Sequence, residues 1–220
     1  IDNDKDQSYF LCCLNQNQLN KTLFPVGDLY KKDVRKLAKK AGLITHNKKD
    51  STGICFIGEQ PFRNFLSNFI KPEQGLIKTV DGKTIGEHHG IFFYTLGQRQ
   101  GLGIGGVKNT TDAPWYVVRK NLSDNELIVA QDHDHPFLHN KNLTVFDINW
   151  ISGEMPSLPF KCKAKCRYRQ PDQKCTINRS KNGQIIIKFE SSQRAVTPGQ
   201  FIVFYNKNIC LGGGIIDSTY

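Results

Sequence analysis

The sequence has no apolar run approaching the roughly 20 residues that a helix needs to cross a bilayer, so no transmembrane segment is expected. It also lacks the charged-then-apolar layout of a signal peptide, since its opening residues, IDNDKDQSYF, are polar and acidic. It does not start with Met, and the expectation is a chain that begins inside a longer protein. Acidic residues are scarce relative to basic ones: 20 Asp and Glu stand against 30 Lys and Arg, a formal charge of +10. A basic surface of this size favours a polyanion, and nucleic acid is the commonest for a protein without membrane spans. The competing source of the same bias is compositional, because an AT-rich genome enriches Lys and Asn with no binding role. No basic amphipathic helix stands out, which argues against a membrane surface. Regular cysteine spacing is absent too. Seven cysteines, an odd number without a secretion signal, argue against a disulfide scaffold and for a reducing compartment.

The chain is long enough for one large domain or two to three small ones. Residues 1–71 read as helical. Within Lys32 to Ala41, Val34, Leu37, Ala38 and Ala41 fall at helical spacing, and Gly42 stands where a C-terminal cap is expected. Pro61 to Ile70 places Phe62, Phe65, Leu66, Phe69 and Ile70 on one face, with Pro61 in the first turn and Lys71-Pro72 as a stop. Beyond Gly75 the pattern changes to short strands. Leu76 to Val80, Asp81-Gly82 and Lys83 to Ile85 form a hairpin signature, and Trp115 to Val118 and Leu127 to Ala130 are apolar strands. A second strand-rich region starts near Leu143. Phe160 to Arg169, Lys174 to Arg179, Gln184 to Phe189, Phe201 to Tyr205 and Ile209 to Ile216 give five strands at the short spacing of a small β-barrel, with Asn182-Gly183 as a turn. The fold class expected is α+β, divided into a helical segment 1–71, a central β domain 72–140 and a C-terminal β-barrel 141–220.

The stretch Lys48 to Phe56, KKDSTGICF, carries the most chemistry. Cys55 follows a glycine-containing turn, lies a few residues after two lysines and precedes the Pro61 helix. Positive charge and a helix N-terminus lower a thiol pKa, and the thiolate is the nucleophile. Taken alone, a single cysteine such as Cys55 is more often a buried small hydrophobe than a reactive thiol. The glycine-dense stretch Tyr94 to Gly106 is neither a Walker loop, lacking GK[ST], nor a dinucleotide fingerprint, lacking the strand–turn–helix context. It reads as a structural loop near the active site. Arg167, Tyr168 and Arg169, read within a strand, could contact phosphate and stack on bases, or form an ordinary solvated face. Asp132-His133-Asp134-His135 resembles a metal cluster, but neighbours on an extended chain point in opposite directions. Cys162, Cys166 and Cys175 include no CxxC pair and read as core, as does Cys12-Cys13, placed in an apolar helix. No metal is expected.

Nine stretches, taken together, resemble the tRNA-specific 2-thiouridylase family. They are KDQSYFL at Lys5, LFPVG at Leu23, KKDSTGICFIG at Lys48, GEHHG at Gly86, TLGQRQGLGIGG at Thr95, PWYVV at Pro114, RYRQ at Arg167, AVTPGQ at Ala195 and CLGGGII at Cys210. They occur in family order and cover the whole chain. The resemblance implies replacement of the C2 oxygen of the tRNA wobble uridine by sulfur. ATP adenylates that oxygen, a cysteine persulfide delivers sulfur, and a second cysteine releases it by forming a disulfide. By the same resemblance Cys55 is the persulfide carrier, and Lys5, Asp6, Gln7, Arg167, Tyr168 and Gln200 contact tRNA. A sulfur-donor protein carrying a persulfide is the implied partner, the chain is expected to be a monomer, and the compartment is the bacterial cytoplasm or an organelle. One departure is large. The family's SGGxDS pyrophosphate loop, its catalytic Asp and its second cysteine have no counterpart among these residues, so ATP is expected to bind a preceding domain. The chain alone is then expected to be inactive. The rival readings are a non-catalytic RNA-binding module derived from this family and a structural fragment.

Overall fold

The computed structural model describes residues 1–50, 62–105, 107 and 111–220. The N-terminal fifty residues hold little regular structure. A 3-10 turn covers Ser8–Leu11, a short helix α1 covers Gln16–Leu19, and α2 covers Lys31–Lys40. A capping box starts α1: the Asn15 side chain accepts from the Gln18 N–H, and the Gln18 side chain accepts from the Asn15 N–H, both at 3.0 Å. Gly42 at φ +70 stops α2, with the Gly42 and Leu43 amides donating back to Lys39 and Ala38.

The helical reading of residues 1–71 needs correcting. Among the described residues the helices are short and separated by turns, because Pro25, Gly27 and Gly42 interrupt the segment. Among the described residues the apolar stripe of α2 is not buried: none of its residues is buried, and Leu37 is 53% exposed. A third helix, α3 (Phe62–Ser67), stops three residues before Ile70. Phe65 and Leu66 are half-buried, whereas Phe69 is 72% exposed, so the expected five-residue face does not form. After Ser67 the chain tightens into turns, with the Asn68 and Phe69 amides donating to the Phe65 and Leu66 carbonyls at 3.2 and 2.9 Å. Among the described residues, no helix is long and apolar enough to cross a membrane.

A four-stranded mixed sheet follows, built from β1 (Gly75–Thr79), β2 (Thr84–His88), β3 (Trp115–Asn121) and β4 (Glu126–Gln131), in the order β2-β1-β4-β3. Its two hairpins are antiparallel and join through a parallel β1–β4 pair. The Asp81-Gly82 turn is present, with Gly82 at φ +82. Both faces of the sheet are covered. Ile77, Val117, Leu127 and Val129 pack against Ile91, Tyr94 and Leu102, while Tyr116, Val118, Ile128 and Ala130 pack against Leu138 and Ala195. Burial on both faces explains why these strands read as continuous apolar runs rather than alternating ones. His88 is buried at the sheet edge. Its Nδ1 accepts from the Gly90 N–H at 3.1 Å, which leaves Nε2 to donate to the Asn125 carbonyl at 3.1 Å. Burial holds its pKa below the ordinary imidazole value.

The third part is a closed six-stranded barrel of β5 (His139–Trp150), β6 (Phe160–Lys165), β7 (Gln173–Arg179), β8 (Ile185–Arg194), β9 (Phe201–Asn206) and β10 (Ile209–Thr219). Its order is β10-β5-β8-β7-β6-β9, with β9 and β10 paired to close it. Leu143, Ile177, Ile187, Ile202, Phe204 and Ile216 fill it, each at 1% exposure or less. The CLGGGII stretch lies where backbones press together. A Cβ on Gly212, which sits at φ +137, would stand 2.0 Å from the Asn149 carbonyl oxygen, and one on Gly213 would stand 2.6 Å from that of Ile202. Together the sheet, the barrel and the short helices make an α+β structure, as expected from the sequence.

Candidate nucleic-acid interface

The Lys5–Phe10 segment is bound to the outside of the barrel. Asp6 accepts from both the N–H and the hydroxyl of Ser8 at 2.9 Å, and Ser8 Oγ lies 3.2 Å from the Tyr205 hydroxyl. The Tyr9 hydroxyl donates to the Phe201 carbonyl at 2.9 Å. Asn149 Nδ2 donates to the carbonyls of Cys12 and Leu14 at 2.8 and 3.0 Å. Cys12 is buried against Val203 and Tyr205, and partial burial pushes the Tyr9 phenol up to about 12. Lys5, Asp6 and Gln7 themselves are exposed.

The Arg167–Arg169 stretch is a turn rather than part of a strand. β6 ends at Lys165, because Arg169 adopts φ +68 and the Gln170 side chain folds back to accept from the Cys166 N–H at 2.8 Å. The Arg167 guanidinium donates to the Ala195 carbonyl. The Tyr168 ring lies 4.6 Å from that of Phe10 and 6.2 Å from that of Tyr9, and the Arg169 guanidinium stands 5.3 Å from the Tyr168 ring centre. Gln200 is exposed in the turn before β9, its carbonyl accepting from Ile216 at 2.8 Å.

The segment Ala195–Phe201 therefore joins the expected contacts. It receives Arg167 at one end and Tyr9 at the other, and Gln200 precedes the residue that holds Tyr9. Lys5 reaches elsewhere, donating to Asp50 at 2.6 Å; Lys31 and Arg35 approach the same carboxylate at 3.5 and 3.7 Å. Cys55 lies outside the described residues. Lys48 and Lys49 are exposed, and Arg35 donates to the Lys48 carbonyl at 3.1 Å.

The sequence did not single out Tyr9, Phe10, Asn149 or Tyr205. The aromatic pair directly after KDQ was the available signal; nothing local marks Asn149 or Tyr205.

The remaining motifs serve the fold. The stretch Thr95–Leu102 lies on the sheet through Gly97 N–H to Val117 O at 2.8 Å and Val117 N–H to Gln98 O at 3.0 Å, with Leu102 buried. A cleft of about 380 Å³ beside it is lined by residues including Arg99, Ile104, Asp112 and Trp115. In the Asp132–His135 stretch, His133 Nδ1 lies 3.0 Å from Asp134, while His135 Nδ1 accepts from the Phe137 N–H. Cys162 and Cys175 face each other across β6 and β7 with sulfurs 3.6 Å apart. Cys166 is buried in the barrel, and burial pushes its thiol up to about 12. Cys12-Cys13 is not in a helix. It follows the 3-10 turn, with Cys12 buried and Cys13 exposed.

Three family models match the chain in succession: the tRNA methyl transferase HUP domain at residues 1–59, the tRNA methyl transferase PRC-barrel domain at 63–131 and the aminomethyltransferase beta-barrel domain at 140–216. Curated relatives match throughout. A protein of Marinomonas sp. (strain MWYL1) is 53% identical over 220 residues, which is 100% of this chain and 56% of the relative. One from Legionella pneumophila (strain Philadelphia 1) is 55% identical over 216 residues, 98% of this chain and 60% of the relative. One from Acinetobacter baylyi is 51% identical over 223 residues, 100% of this chain and 59% of the relative. Each is named tRNA-specific 2-thiouridylase MnmA, and the chain spans less than two thirds of the length of each. With three consecutive models of one family and more than half of its residues identical from end to end, the chain belongs to the tRNA-specific 2-thiouridylase family.

Proposed function

We propose that this chain is part of a tRNA-uridine 2-sulfurtransferase, in which Cys55 carries sulfur as a persulfide to the wobble uridine of tRNA. Lys5, Asp6, Gln7, Arg167, Tyr168 and Gln200 contact the tRNA. The match to 2-thiouridylases along the whole chain carries this reading. The charge of +10 and the junction of Arg167 and Tyr9 through Ala195–Phe201 support it. Phosphate neutralisation by Lys and Arg dominates nucleic-acid affinity, and an arginine aligned by a backbone carbonyl is already oriented for that role.

The same reading divides the chain into a part of a catalytic domain with the Cys55 segment (1–71), a central β domain (72–140) and an RNA-contacting barrel (141–220). A persulfide-bearing donor protein loads Cys55, and the protein acts as a monomer in the bacterial cytoplasm or an organelle. ATP is the co-substrate this reading needs. The glycine-rich stretch here has no GK[ST], and Gly97 and Gln98 are bonded to Val117 of β3.

The test is replacement of Cys55 by Ser in the gene that carries this chain, with 2-thiouridine measured by mass spectrometry of tRNA nucleosides. Loss of the thiolated wobble base is expected, and near-normal thiolation would overturn the assignment.

A further inference from the structure

We propose that Phe10 and Tyr168 together form a stacking platform for an unpaired nucleobase of bound RNA, with Phe10 as a binding residue in its own right. The proposal rests on the RNA-binding reading above and adds a residue outside the expected contact set. Single exposed apolar side chains are ordinary on protein surfaces. Phe10 is not single. It is 58% exposed, yet its ring meets that of Tyr168 at 4.6 Å with the planes tilted by 49°. Tyr9, its neighbour, packs edge-on against the Phe10 ring at 5.5 Å, lies 6.2 Å from the Tyr168 ring and is anchored through its hydroxyl to the Phe201 carbonyl.

The platform is built rigidly on both sides. On the Phe10 side, Ser8 and Tyr9 are hydrogen-bonded to the barrel, and the Asn149 amide holds the chain at Cys12 and Leu14. On the Tyr168 side, Gln170 closes the turn on Cys166, and its amide donates to the buried Gln193 at 2.8 Å. Two rings from distant parts of the sequence are thus held together before any ligand arrives. Ordering an aromatic in advance lowers the entropic cost of binding.

The charge around the platform selects the occupant. Arg167 and Arg169 flank Tyr168, both exposed, and Arg169 sits over the ring. Aromatic faces bordered by arginines suit a flat, electron-rich base on a polyanionic backbone. An apolar peptide would bring those guanidinium groups no negative charge, so RNA is favoured over protein.

The experiment titrates the protein expressed from the whole gene that carries this chain against a fluorescently labelled tRNA transcript and, separately, against inorganic polyphosphate, a polyanion without bases. Phe10→Leu should weaken tRNA binding by about 5- to 140-fold, the range that loss of one base–aromatic stack produces. It should leave polyphosphate binding and thermal stability unchanged, and Phe10→Trp should restore tRNA affinity. Tyr168→Phe should bind as the original does, whereas Tyr168→Leu should not. If Phe10→Leu binds tRNA as tightly as the original, or loses tRNA and polyphosphate alike, the platform is wrong and the RNA-binding reading stands. If the unaltered chain fails to bind tRNA, the RNA-binding reading falls and the platform with it.

Discussion

The Lys5 ammonium donates to Asp50 Oδ2 at 2.6 Å, joining the segment that lies on the barrel to the residue that leads into the cysteine stretch. The hydrogen bond from Lys5, followed by its charge, holds the Asp50 carboxyl below the usual carboxylate value. Because the folded value lies below the unfolded one, this contact adds its stability at neutral pH. That contribution is present above the unfolded value of about 3.9 and is lost as pH falls through the lowered folded value. In Lys5→Met the Asp50 carboxyl should titrate closer to its ordinary range, as followed by carboxyl-carbon NMR. Lys31 and Arg35 remain nearby, so the return should be partial. An unchanged titration would mean that Lys5 does not govern the carboxylate.

Asn149 is expected to be the anchor of the N-terminal segment. Its amide makes two hydrogen bonds to the carbonyls of Cys12 and Leu14, and no backbone group replaces it in Asn149→Ala. The loss should cost about 1–3 kcal/mol locally. Hydrogen exchange should show faster exchange over residues 8–14 with little change in β6 to β8. Uniform acceleration over the whole barrel would show instead that Asn149 supports the global fold.

The cysteines should separate by burial when the native chain is treated with a maleimide and mapped by mass spectrometry. Cys13 is exposed and should react early. Cys12 and Cys166 are each pushed up to about 12, chiefly by burial, and should stay unreacted at about pH 8. Cys175 should resist as well, its thiol raised by the hydrogen bond with Cys162 and by burial. Denaturant should expose all four. Early labelling of Cys166 or Cys175 in the native chain would contradict the closed barrel.

Much of the fold was legible because its signals are local. Asp81-Gly82 and Asn182-Gly183 mark hairpin turns by residue type, and the apolar runs at Trp115–Val118 and Leu127–Ala130 mark strands buried on both faces. What escaped depends on distant partners. β5 begins at His139, ahead of the apolar pattern, because its early residues pair with Gln193 and Arg194. β6 stops before Arg167 because Arg169 takes a left-handed conformation, which its identity does not announce. The stripe on α2 has helical spacing, so periodicity located the helix, but spacing alone does not bury it: none of its residues is buried among the described residues. For the site, family-like motifs marked Arg167 and Tyr168, but the ring that meets Tyr168 belongs to Phe10, near the other end of the chain.

The seating of the Ser8–Leu11 turn on β9 has a consequence for biosynthesis. Ser8 meets Tyr205 across a separation of 197 residues and Tyr9 meets Phe201 across 192. The turn therefore has no docking surface until about 190 further residues have been translated after it. At about 5–20 residues per second, it waits on the order of ten to forty seconds with Tyr9, Phe10 and Cys12 uncovered. The stretch that lies on the finished barrel is thus uncovered throughout that interval, and its docking is the event that ends the exposure.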